Sequence, residues 1–196
     1  MHPALSRLRA SAGTFERTAM KVAALHEQMV RNVFLNVELV LNDGIRELSE
    51  YDLQAWMFLH FRYSLANQNA HADREKTKRV DCVLFAAGVP RVFYEIKTYF
   101  KKHEKLRKKH FDDDINKLYG LLKTHAGTRG FFLVAGAKSK FTDTALLGFP
   151  LVKSHLKDQK HGWVNYPLQS GDIARLRPSQ KQRHGRSVVV TWEVKT

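Results

Sequence analysis

Asp81, Glu95 and Lys97 carry charge on two short runs that otherwise read as buried strand, Val80-Asp81-Cys82-Val83-Leu84-Phe85 and Val92-Phe93-Tyr94-Glu95-Ile96-Lys97-Thr98. An unpaired charge is not tolerated in an apolar interior without a partner or a metal ion, so something must compensate all three. Side chains alternate across a strand, so Glu95 and Lys97 share a face with Phe93 while Tyr94 and Ile96 point the other way. The six residues from Ala86 to Arg91, with Gly88 and Pro90 among them, read as the turn of a hairpin. Folding there lays the first run beside the second and brings Asp81 next to Glu95. Two explanations stay open at this point. Either the three are strand ends or partly solvated positions with a Glu95–Lys97 salt bridge, or they form a site with chemistry of its own.

The elements around the hairpin set how such a site would be held. From Thr14 to Leu41, Phe15, Val22, Leu25, Met29, Val33, Val37 and Leu41 recur at helical spacing, and Asn42-Asp43-Gly44 is a stop signal. A second helix is expected over Ser49 to Ala66, with Ser49 as N-cap, Asp52 in the capping-box position and a stripe of Leu53, Trp56, Met57, His60 and Ser64. Glu50 falls in its first turn, where the helix dipole already favours an acid. Glu75 lies on a segment leading to the hairpin. After Lys97, aromatic and basic residues interleave through Lys101, Lys102, Lys105, Arg107, Lys108 and Lys109, a pattern suited to tracking a phosphate backbone and equally to a solvated loop. Asp112, Asp113 and Asp114 then open a helix to about Lys123, with Ile115, Leu118, Tyr119 and Leu122 on its apolar face, and Phe131 to Ala135 is a buried strand. Strand, crossover helix and second buried strand make a βαβ-like unit.

This layout resembles the PD-(D/E)xK nuclease superfamily, the restriction-endonuclease-like fold. Asp81 matches the first acid, Glu95 the second and Lys97 the lysine, whereas Val80 stands where the family usually has Pro. The resemblance spans about residues 45 to 136. It implies an α/β chain with a restriction-endonuclease-like mixed β-sheet flanked by helices, here with a long N-terminal helix and a basic C-terminal extension. It further implies hydrolysis of DNA phosphodiester bonds with Mg2+, Mn2+ being able to substitute. Asp81, Glu95 and the Ile96 carbonyl would supply the protein ligands, since magnesium takes oxygen donors and keeps several waters. Lys97 would position or help to deprotonate the attacking water, and an acid on the preceding helix often joins such sites, which favours Glu50 over Glu75. By the same resemblance Asp114 and Lys117-Leu118 belong to the framework, and two copies would pair to cut two strands, through the first helix.

Charge supports a polyanionic partner. Lys and Arg outnumber Asp and Glu by 33 to 19, a net +14. The excess is uneven: from Lys97 onward there are 21 basic and 8 acidic residues, before it 12 and 11. A positive field of this kind suits nucleic acid, DNA foremost, although a solvated basic surface would give the same composition. A nucleic-acid-binding module of this fold without turnover, or a basic RNA-associated protein, are the other readings. Residues 1–44, 45–136 and 137–196 divide one expected domain into helical segment, catalytic core and extension. In the last, Val188, Val190, Trp192 and Val194 suggest a half-exposed strand, and Arg175, Arg177, Lys181, Arg183 and Arg186 a basic loop able to follow DNA. No apolar run approaches the length of about 20 residues that a membrane span needs, and no secretory signal is read at the amino terminus, so a cytoplasmic protein is expected. Cys82 is read as a buried core residue, and zinc, P-loop and serine-hydrolase motifs are missing.

Overall fold

The fold comes from a computed structural model that describes residues 3–44, 47–65, 70–73, 80–101, 106–142, 145, 149–157 and 162–196. Among the described residues, four α-helices and seven strands follow one another as α1 (Pro3–Asn42), α2 (Glu50–Ser64), β1 (Ala70–Asp73), β2 (Cys82–Ala86), β3 (Val89–Tyr99), α3 (Lys108–Thr124), β4 (Arg129–Ala137), α4 (Pro150–Leu156), β5 (Val164–Pro167), β6 (Ile173–His184) and β7 (Ser187–Lys195). The strands form a single mixed sheet in the order β1-β2-β3-β4-β7-β6-β5. Only β3 and β4 run parallel; the other pairs are antiparallel. The parallel pair is the one joined by a helix, α3, because parallel neighbours need a long crossover.

Helices cover both faces. α1 and α2 pack on one, where Met29, Val33, Leu53, Met57 and Phe61 meet Tyr94, Ile96, Phe131 and Leu133. α3 and α4 cover the other, where Ile115, Leu118 and Val152 meet Phe93, Phe132, Val190 and Trp192. The strand alternation expected for β3 therefore holds: Tyr94 and Ile96 face α1 and α2, and Phe93 faces α3. No helix among the described residues is long and apolar enough to cross a membrane.

The hairpin turn is tighter than six residues. β2 runs to Ala86 and β3 starts at Val89, so Ala87 and Gly88 alone make the turn, both with positive φ, 52° and 72°. Such a turn matches the twist of the flanking strands, which carries pairing through residues that punctuation-based reading gives to a loop. Pro90 lies beside the register irregularity at Leu84/Phe85, where a strand tolerates proline.

The C-terminal segment is not an extension. β7 is inserted between β4 and β6, and residues 164–195 supply three of the seven strands. Nor is β7 half exposed: Ser187, Thr191 and Glu193, the polar members of its alternation, are buried with the valines. Partners make that possible, Thr191 exchanging hydrogen bonds with Gln180 and Glu193 holding Arg129 and Arg177. The expected basic loop is the strand β6 and the turn that follows it. Further differences lie at helix ends: α1 begins at Pro3 rather than near Thr14, and α3 at Lys108, four residues before Asp112.

Candidate active site

The three residues singled out by type and spacing converge at one end of the β2–β3 hairpin. Cys82 pairs with Tyr94, so the residue before it, Asp81, reaches the level of Glu95 just as β2 begins. Asp81 is held from two sides. Its Oδ2 accepts the backbone N–H of Ile96 at 2.7 Å, and its Oδ1 accepts Gln54 Nε2 from α2, also at 2.7 Å. The amide and carbonyl of an extended residue leave from the same strand edge, so the Ile96 carbonyl leaves β3 on the edge that faces Asp81.

Glu50 arrives from the start of α2. Ser49 caps this helix, its hydroxyl accepting the Asp52 N–H while the Asp52 carboxylate accepts the Ser49 N–H at 2.7 Å, as the capping box predicts. The cap places Glu50 in the first turn, with its carboxylate 3.0 Å from Lys97 Nζ. Glu75, its competitor, lies outside the described residues, as do Lys102 and Lys105. The buried stripe of α2 is Leu53, Gln54, Met57 and Phe61 rather than one running through His60 and Ser64. Gln54 is the informative member, a polar side chain on an apolar face with Asp81 as its partner.

α3 completes the cluster with two residues that sequence reasoning placed in the framework. Running back along β3, it sets Asp114 Oδ2 at 3.2 Å from Lys97 Nζ and Lys117 Nζ at 2.7 Å from Glu95 Oε2. Their spacing of three residues puts both on one helix face, a signal in the sequence once the helix is set against β3; Leu118 turns away into the core.

Burial and crowding set the charge state. Burial, then the Asp81 charge beside it, push the Glu95 carboxyl up to about 9, against the pull of Lys117. Burial likewise raises Asp81, although the Ile96 amide and Lys117 oppose it. Asp114 is raised to about 6 by burial, with Lys97 pulling it down. For Lys97, burial favours loss of the proton, but Asp114 and Glu50 outweigh it and hold its pKa above the ordinary value. Glu50 and Asp114 thus favour the ammonium form of Lys97.

The oxygens gathered here are donors of the kind that hard divalent cations take. Glu95 Oε1 is buried and receives no donor while both acids are ionised, an expensive state that a proton shared with the Asp81 carboxylate relieves. Glu50, Asp81, Glu95 and Asp114 face Lys97 and Lys117, so the fully ionised cluster lacks two positive charges. Among the described residues no group of three or more acidic, histidine or cysteine side chains forms a ready-made metal cage. Two carboxylates and a carbonyl are a set that suits magnesium, which keeps much of its water shell.

The expected nucleic-acid contacts divide by position. Lys101, Arg107 and Lys109 are exposed between the end of β3 and the start of α3, the end toward which Lys97 lies. Lys108 is mostly exposed there and pairs with Asp112 at 2.8 Å. Several residues of β6 and its turn have partners within the fold: Lys181 Nζ donates to the carbonyls of His155 and Leu156 at the end of α4, Arg177 binds Glu193 at 2.5 Å, and Arg186 donates to the Leu41 carbonyl. Arg175 lies over the Trp163 ring with Arg177 and Lys195, and Arg183 is exposed.

Compared with protein-family models, with curated proteins and with solved structures, the chain finds no match.

Proposed function

We propose that this protein is a magnesium-dependent nuclease of the PD-(D/E)xK type that hydrolyses phosphodiester bonds in DNA on a restriction-endonuclease-like core. One observation carries the reading. Asp81 and Glu95 stand together across a hairpin, with a Glu95 oxygen buried and without a donor when both acids are ionised and Lys97 held alongside by Glu50 and Asp114. A protein with no use for a cation would gain by replacing such acids with apolar side chains.

In this reading Asp81, Glu95 and the Ile96 carbonyl hold Mg2+ or Mn2+. When bound, the ion supplies Lewis-acid stabilisation of the phosphate and a more acidic water. Gln54 and the Ile96 amide keep the Asp81 carboxylate oriented. Lys97 keeps its proton and bears on the developing phosphate charge, an electrostatic role that needs a fixed ammonium rather than a base. Lys101, Arg107 and Lys109 draw the backbone to that end of the sheet, with affinity that falls as salt rises.

A binding module without turnover is the second reading, favoured by the Lys117–Glu95 ion pair, in which a protein cation already serves one acid. Incubation of purified protein with plasmid DNA, duplex oligonucleotides and single-stranded RNA, with Mg2+ or with chelator, separates the two. Cleavage that needs Mg2+ and is lost in Glu95→Gln supports the nuclease. Salt-sensitive binding with every substrate intact in Mg2+ and in Mn2+ supports the module, and preference for RNA overturns the choice of DNA.

A further inference from the structure

Lys117 meets the carboxylate that the cation reading needs. Its ammonium lies 2.7 Å from Glu95 Oε2, while the other oxygen of the same carboxylate has no donor. Lys97, the lysine of the Glu-x-Lys pattern, is engaged elsewhere, between Glu50 at 3.0 Å and Asp114 at 3.2 Å. The two ammonium groups therefore do different work. Lys97 leaves from the strand and is clamped from helices on either side. Lys117 leaves from one turn of α3 and is more exposed, 28% against 19% for the Lys97 side chain.

We propose that Lys117 is the resident cation of the site, displaced from Glu95 when a divalent ion binds and then available to an oxygen of the substrate phosphate. The inference rests on the metal-dependent reading above and adds a competition to it. A monovalent ammonium and a divalent ion cannot both sit closely against one carboxylate without repulsion, so loading the ion pushes Lys117 outward. A flexible four-carbon stem with a point charge at its tip suits this exchange, because it reaches a second anion without movement of the helix. The anion that arrives at a loaded site is the phosphodiester. Lys117 would thus hold the acid pair together before loading and contact substrate after it.

The test uses full-length Lys117→Met, Lys117→Arg and wild type. Mn2+ binding is followed calorimetrically without nucleic acid from pH 7 to pH 9 in buffers of differing ionisation heat, so that affinities are compared after correction for the proton that leaves Glu95, and cleavage of a short DNA duplex is followed at saturating Mn2+. Lys117→Met is expected to bind Mn2+ on the order of tenfold more tightly, since a nearby positive charge has gone, and to cleave at least roughly tenfold more slowly, since a phosphate contact has gone. Lys117→Arg, with its charge kept, should hold Mn2+ near the wild-type affinity. Tighter metal binding with slower cleavage is a combination that damage to the fold would not give. If Lys117→Met binds Mn2+ as wild type does or more weakly, the resident-cation role is overturned; if it cleaves at the wild-type rate, the phosphate contact is. Failure of wild type itself to bind Mn2+ would instead overturn the metal-dependent reading on which this inference stands.

Discussion

The Asp81 carboxylate accepts the backbone N–H of Ile96 at 2.7 Å, so the residue between Glu95 and Lys97 is anchored by the acid across the hairpin. This bond, with Gln54 on the other oxygen, makes Asp81 both a structural pin and a candidate ligand. Asparagine can keep one acceptor for the pin but cannot keep the charge. Asp81→Asn should therefore unfold within a few degrees of wild type, on the order of 1 kcal/mol or less, while losing at least roughly a hundredfold in Mg2+-dependent cleavage. Thermal melts and plasmid nicking on the same preparation read both quantities.

Acid–base state offers an independent handle. With Glu95 at about 9 in the cation-free protein, its proton must leave before a metal binds. Apparent Mn2+ affinity should rise close to tenfold per pH unit through the neutral range and level off above about 9, with proton release seen as a dependence of calorimetric heat on buffer. The linkage has the opposite sign for the cation-free fold. An acid raised from 4.5 to about 9 binds its proton more tightly when folded, so stability without metal falls as pH rises across that window.

His26 gives the contrasting case, on the sheet face covered by α1 and α2. Its ring is buried against Phe131, with Nε2 and Thr191 Oγ1 3.2 Å apart, and burial followed by the Arg129 charge lowers its pKa from 6.5 to about 3. The unfolded chain takes up this proton first as pH falls, so stability is complete above about 6.5 and declines toward 3, by up to about 5 kcal/mol. His26→Phe should flatten that acid limb in denaturant titrations from pH 7 to pH 4. An unchanged slope would place the acid sensitivity elsewhere.

How much of this was legible follows from which signals are local. Asp81, Glu95 and Lys97 could be read because strand alternation and one hairpin fix their neighbours, and Glu50 because Ser49 and Asp52 announce the helix start. Asp114 and Lys117 carry the same letters as any solvated helix face; only the placement of α3 against β3 turns them inward. Gln54 was missed for a similar reason: stripes through residues 53, 57 and 60 or through 53, 57 and 61 differ by one position. β7 misled because Thr191 and Glu193 have the alternation of a half-exposed strand, and their compensation comes from Gln180 and Arg177 on β6 and Arg129 on β4. Non-local partners leave no mark on local pattern.

The basic residues should separate by the same logic. Lys109→Ala and Arg107→Ala, at the exposed start of α3, should weaken DNA binding and each lower the slope of log affinity against log salt by about 1. Lys181→Ala should leave that slope unchanged and reduce stability by about 1 kcal/mol, because its ammonium serves the carbonyls of His155 and Leu156 at the end of α4. Filter binding across a salt series, with thermal melts alongside, distinguishes the two groups.

The most direct measurement is a crystal of the protein soaked in Mn2+ and examined by anomalous scattering. The account predicts one strong peak bounded by the carboxylates of Asp81 and Glu95 and the Ile96 carbonyl, with the Lys117 ammonium moved off Glu95. Crystals that take up no Mn2+ at this hairpin, with Lys117 still against Glu95, would contradict it.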